Sequence, residues 1–160
     1  MMREEYPEVL GLPNEDVKDR IMLLTRWLYP RLQSGEIKLN FRKDFHMKVA
    51  YHTACHMQRM GWQQFTLEIL RMIPGLELTL LEPNCCGISG TFGFKKENYP
   101  YSQKIGETLF QEIREAKAKA GDSAPFAVAT ECETCKWQIE MSTGIPVMNP
   151  VSIIAQALAE

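Results

Sequence analysis

The stretch Met47-Lys48-Val49-Ala50-Tyr51-His52-Thr53-Ala54-Cys55 sets the grammar of this chain: a short apolar run, then a cysteine. The run reads as a strand from Met47 to Thr53. The same grammar recurs twice. Glu77 to Leu81 (ELTLL) precedes Cys85-Cys86-Gly87, and Phe126 to Thr130 (FAVAT) precedes Cys132 and Cys135. A short fourth strand is expected from Ile145 to Met148. Helical spacing fills the intervals. Trp62, Phe65, Ile69 and Ile73 share one face of a helix that follows Cys55 and breaks at Pro74-Gly75. Ile105, Leu109, Ile113 and Ala116 share a face of a long helix that Gly121 ends. Asn149 and Pro150 suit the cap and first position of a last helix. Strands alternating with helices give an α/β fold, a mostly parallel sheet with helices on both faces.

Residues 1–46 contain no cysteine and read as an N-terminal helical segment. Asn14 would cap a helix carrying Val17, Ile21, Leu24 and Leu28 on one face. Pro30 would end or kink it, and Ser34-Gly35 marks a turn. The chain therefore divides into a connector, 1–46, and an α/β domain, 47–160.

In parallel sheets, ligands bind outside the carboxyl ends of the strands. Each cysteine lies just past a proposed strand end, so all five should gather at one edge. The pattern is Cys55-x29-Cys85-Cys86-Gly87-x44-Cys132-x2-Cys135. Thiolates are soft donors that suit iron in a sulfide framework. Cys132 and Cys135 open a helix, where unpaired amides lower thiol pKa. Glycine after the vicinal pair lets backbone approach a bulky cluster closely. Three other readings stand beside this one. The thiols could be buried small hydrophobes, a thioredoxin-like exchange pair, or a four-cysteine zinc site that leaves the fifth without a role.

A net charge of −2 gives no global attraction for nucleic acid, and no such partner is expected. Met1-Met2-Arg3-Glu4-Glu5-Tyr6-Pro7 lacks the order of a signal peptide, and an odd cysteine count argues against a disulfide framework. A cytoplasmic chain, at most peripheral to a membrane, is expected. His52 and His56 flank the first cysteine, where either could hydrogen-bond a sulfide or stand as a polar loop residue. The amides of Gly87, Gly90 and Gly93 could donate to cluster sulfurs. Lys95 and Lys96 read as a solvated pair, His46 as structural or exposed, and Trp137 as packing behind the Cys132 helix to screen the site.

The motifs Tyr51-His52-Thr53-Ala54-Cys55-His56, Asn84-Cys85-Cys86-Gly87-Ile88-Ser89-Gly90-Thr91-Phe92-Gly93 and Glu131-Cys132-Glu133-Thr134-Cys135-Lys136-Trp137 resemble the cysteine-rich CCG domain found in the B-type component of heterodisulfide reductase and its relatives. Within that family they are most similar to the C-type components of anaerobic glycerol-3-phosphate dehydrogenases. The resemblance covers residues 47–160. It implies a [4Fe–4S] cluster, non-cubane in heterodisulfide reductase, with Cys55, Cys85, Cys86, Cys132 and Cys135 as ligands and the fifth thiol bridging irons. It implies electron transfer from flavin-containing dehydrogenase subunits towards menaquinone or another membrane acceptor, on the inner face of the cell membrane, without covalent chemistry by side chains. Alternatives are a disulfide- or quinone-reducing catalytic module and a zinc-stabilised structural domain. Full-length proteins of this type carry ferredoxin-like motifs and a second CCG domain upstream, so the chain resembles the C-terminal part of a longer polypeptide. The interval from Cys86 to Cys132 is longer than in the commonest form of the motif.

Overall fold

A computed structural model describes residues 5–159, so Met1 to Glu4 of the N-terminal reading lie outside the described residues. The chain separates into two compact units between Lys38 and Leu39.

The first unit holds α1 (Glu5–Leu10), a 3-10 turn (Lys18–Arg20) and α2 (Leu24–Gln33). The helix expected from Asn14 does not form as one piece. The carbonyl of Asn14 accepts from the amides of Val17 and Lys18, closing a turn. Ile21 is extended (φ −85°, ψ 106°), which interrupts helical geometry before Leu24. Pro30 does not stop α2. It lies inside the helix, which runs on until the amide of Ser34 donates to the Pro30 carbonyl at 3.0 Å.

The second unit contains β1 (Met47–Tyr51), α3 (Cys55–Met60), α4 (Gln63–Arg71), β2 (Leu76–Leu80), α5 (Tyr99–Ala120), β3 (Phe126–Ala129), α6 (Glu133–Thr143), β4 (Val147–Met148) and α7 (Pro150–Ala157). The four strands form one parallel sheet in the order β2-β1-β3-β4. Ahead of β1, Phe41 makes an antiparallel bridge to Leu158.

The two inner strands are almost continuously buried, as parallel strands covered on both faces must be. Val49, Ala50, Tyr51, Val128 and Ala129 are each at most 1% exposed. The chain steps from β1 outward to β2, then back past β1 to β3 and on to β4. Right-handed crossovers taken in opposite directions place their helices on opposite faces. Accordingly α4 packs on β2 and α7, while α5 packs on β1, β3 and α6.

The single helix expected after Cys55 is two. Gly61, in the left-handed region at φ +65°, ends α3, and α4 starts afresh after Trp62. Thr66, Ile69 and Leu70 are the buried residues of α4. On α5 the buried stripe is Ser102, Gly106, Leu109, Phe110 and Ile113, and Ile105 faces outward. Asn149 caps α7 as expected, its Oδ1 accepting from the Val151 amide at 3.0 Å. No described helix is long and apolar enough to cross a membrane.

Candidate metal centre

The carboxyl ends of β1, β2 and β3 share one edge because the strands are parallel. The winding reverses between β1 and β3, the position at which parallel α/β sheets bind ligands. Cys55 begins α3, three residues beyond His52. Cys85 and Cys86 lie on the segment leaving β2, and Cys132 is the extended cap of α6.

These elements bring the sulfurs together. Cys55 and Cys85 Sγ are 3.9 Å apart, and Cys86 and Cys135 Sγ are 3.1 Å apart. The thiol of Cys135 also engages Cys132, and the charge of Cys132 is felt at Cys86. No disulfide joins them, and exposure falls from Cys55, at the surface, to Cys86 and Cys135, both buried.

The thiols differ in acidity. Hydrogen bonding from Cys135 brings Cys132 down to about 5, with help from the Thr134 hydroxyl, 3.2 Å away, and the Cys135 amide. Cys86 is likewise lowered, chiefly by Cys135. Cys135 is pushed up as the donor to both, so only one member of the Cys132–Cys135 pair is acidified, chiefly by the other thiol rather than by the amides of the helix start. Burial, then Cys85, raises Cys55. Thiolates are the metal-binding form, and Cys132 is the thiol most readily in that form.

His52 is wholly buried, and burial holds its imidazole down at about 4, in the neutral state. Neither ring nitrogen has a hydrogen-bond partner. Among the described residues, His52, Cys86 and Cys135 place one donor atom each within 4.8 Å of one another. A buried polar atom without a partner calls for an explanation, and a bound ion is one. Five soft donors and an orphaned imidazole are a donor set that fits a sulfur-ligated metal or cluster.

His56 is exposed, and its charge contributes to the lowering of Cys132. Gly87 donates its amide to Cys85 Sγ at 3.3 Å. The Gly93 amide is spent on the Ile88 carbonyl, and Gly90 is exposed with open space around it. Lys95, Lys96 and His46 are exposed. Trp137 is not packed away behind α6. It is 58% exposed and meets Phe94 edge-on at 6.0 Å, beside a groove of about 190 Å³ shared with Tyr99 and Met141.

Gly87 was expected beside the cluster, but the contacts that support it were not legible in the sequence. Gly87 has φ +87°, and a Cβ there would stand 2.0 Å from the Ser102 carbonyl. Ser102 Oγ donates to the Gly87 carbonyl, and Gln138 Nε2 donates to Ser102 Oγ, each at 2.8 Å. Gly106 lets α5 pass the Cys86 carbonyl, which a Cβ would meet at 2.5 Å. A glycine inside a long helical pattern was the one signal available. Tyr51 donates to both carboxylate oxygens of Glu131, at 2.9 and 2.8 Å, tying the end of β1 to the residue before Cys132.

Residues 49–140 match the family model of the CCG cysteine-rich domain. The chain is 54% identical to the C component of the anaerobic glycerol-3-phosphate dehydrogenase of Escherichia coli, over 99% of the chain and 38% of that protein. It is 40% identical to lactate utilization protein A of Geobacillus thermodenitrificans, over 73% of the chain and 50% of that protein. An uncharacterized iron–sulfur protein of Methanocaldococcus jannaschii is 29% identical, over 77% of the chain and 26% of its own length. The chain thus spans half or less of each of these curated relatives. No solved structure gives a significant match. The matched region takes in all five gathered cysteines and more than half of the sequence, so the chain belongs to the CCG cysteine-rich domain family.

Proposed function

We propose that Cys55, Cys85, Cys86, Cys132 and Cys135 hold one iron–sulfur cluster, and that the chain serves as an electron-transfer part of an anaerobic glycerol-3-phosphate dehydrogenase. The observation that carries this reading is the convergence of all five thiols at the carboxyl edge of the sheet. The likeness to the Escherichia coli protein supports the assignment to that enzyme. The cluster, a [4Fe–4S] centre of the non-cubane kind, would supply single-electron transfer. The protein's part is to gather the thiols with Cys132 acidified, to donate the Gly87 amide to Cys85, and to bury Cys86 and Cys135 away from water. The partners in this reading are flavin-containing dehydrogenase subunits and menaquinone, at the inner face of the cell membrane.

Anaerobic purification tests the reading. Brown protein containing iron and acid-labile sulfide is expected, with both lost in Cys85→Ser and in Cys132→Ser. Colourless protein with stoichiometric zinc, and no iron after anaerobic reconstitution, would replace it with a zinc-stabilised domain.

A further inference from the structure

His52 is the buried polar side chain of the site that five thiol ligands leave unexplained. Its backbone is fixed, since its amide donates to the Ala129 carbonyl at 2.9 Å and extends the β1–β3 ladder one residue past the strand. The ring therefore stands at the reversal between β1 and β3. It is 0% exposed, both nitrogens lack partners, and one lies within 4.8 Å of the sulfurs of Cys86 and Cys135. Those sulfurs are 3.1 Å apart, and the imidazole hydrogen-bonds neither. Ligand atoms roughly 2.0–2.3 Å from one ion fall within such a span of each other. Neutral imidazole is a good donor to iron as well as to zinc.

We infer that His52 is a sixth ligand of the centre, binding through a ring nitrogen a metal ion that it shares with Cys86 and Cys135. The inference rests on the cluster reading above. It makes the β1 end a ligand-bearing position in its own right, in addition to Cys55. It also separates the two histidines that flank Cys55: His56 is exposed and stands outside the set.

The test uses the full chain reconstituted anaerobically with iron and sulfide, natural or labelled with 15N-histidine. Pulsed paramagnetic resonance is recorded on the oxidised and the dithionite-reduced protein. A nitrogen coupling of directly bound imidazole is expected, switching to the 15N pattern on labelling. It should persist in His56→Gln and vanish in His52→Leu. The His52→Leu protein should also release iron to a chelator roughly ten-fold faster. If His52→Leu fails to fold, the labelled wild type and His56→Gln still decide the matter. A cluster with no histidine nitrogen coupling, or with only the weak coupling of a hydrogen-bonded nitrogen, overturns the ligand role and leaves the five-cysteine reading standing. Absence of iron and sulfide from the wild type overturns both.

Discussion

The hydroxyl of Ser102, near the start of the long helix α5, holds the carbonyl of Gly87 at 2.8 Å. Ser102 is itself held by Gln138 of α6, so two helices fix the turn that follows the vicinal cysteines. Ser102 is 0% exposed and Gln138 is 4% exposed, so neither has water as a substitute partner. Ser102→Ala would leave the Gly87 carbonyl and the Gln138 amide unpaired, at a cost of about 1–3 kcal/mol. Urea unfolding should show that loss, and Cys86 in metal-free protein should react faster with a thiol reagent. Gly87→Ala should cost more than about 2 kcal/mol, because positive φ and a backbone clash combine.

Tyr51 makes a second tie of the same kind. Its phenol is driven above the ordinary tyrosine range by burial and by the Glu131 carboxylate, so it stays a donor through the physiological range. Tyr51→Phe removes the donor from a carboxylate that adjoins Cys132. A loss of about 1.5–3 kcal/mol is expected, as for a hydrogen bond to a charged group. Glu131→Gln, which keeps an acceptor for the phenol, should lose less in the same unfolding titration.

The sheet and the gathering of cysteines were legible because both are written in local pattern. Val49-Ala50-Tyr51 and Ala127-Val128-Ala129 are short apolar runs suited only to buried strands, and each leads to a thiol. Asn149 before Pro150 announced its helix for the same reason. The Gly87–Ser102–Gln138 tie was not legible, since its members are far apart in sequence and meet only through helix packing. Trp137 misled because a large aromatic beside a site suggests cover, whereas its position on α6 turns it outward. His52 is wholly buried where the β1–β3 ladder continues past the strand end to Ala129, a position no spacing rule reveals.

Gly61 shows how one residue reshapes a predicted element. One helix was expected after Cys55, with its apolar face starting at Trp62, but the Gly61 φ of +65° ends α3 with the Gly61 amide on the Gln58 carbonyl. Nothing lies within 4 Å of a Cβ built there, so the cost of a side chain is conformational alone. Gly61→Ala should therefore destabilise by about 1 kcal/mol. Gly61→Asn should recover part of that, because asparagine tolerates the left-handed region better. Cluster content should be the same in both variants, since α3 keeps its start at Cys55.

Cys132 gives the chain a distinct pH signature when metal is absent. Hydrogen bonding from Cys135 lowers its pKa from 9.0 to about 5. A group depressed in the folded state stabilises the fold fully above its unfolded pKa, and that contribution is lost as pH falls through the folded value. Between pH 9 and pH 5 the Cys132 contribution should thus decline, with the thiolate persisting in the folded protein across that window. Alkylation of metal-free protein at pH 6 should modify Cys132 ahead of Cys55, although Cys55 is the more exposed, because Cys55 is raised rather than lowered. The rate at Cys132 should drop only as the pH approaches about 5. Peptide mapping after timed alkylation reads both outcomes. Cys135→Ala, which removes the donor, should shift the Cys132 profile back towards that of a free thiol.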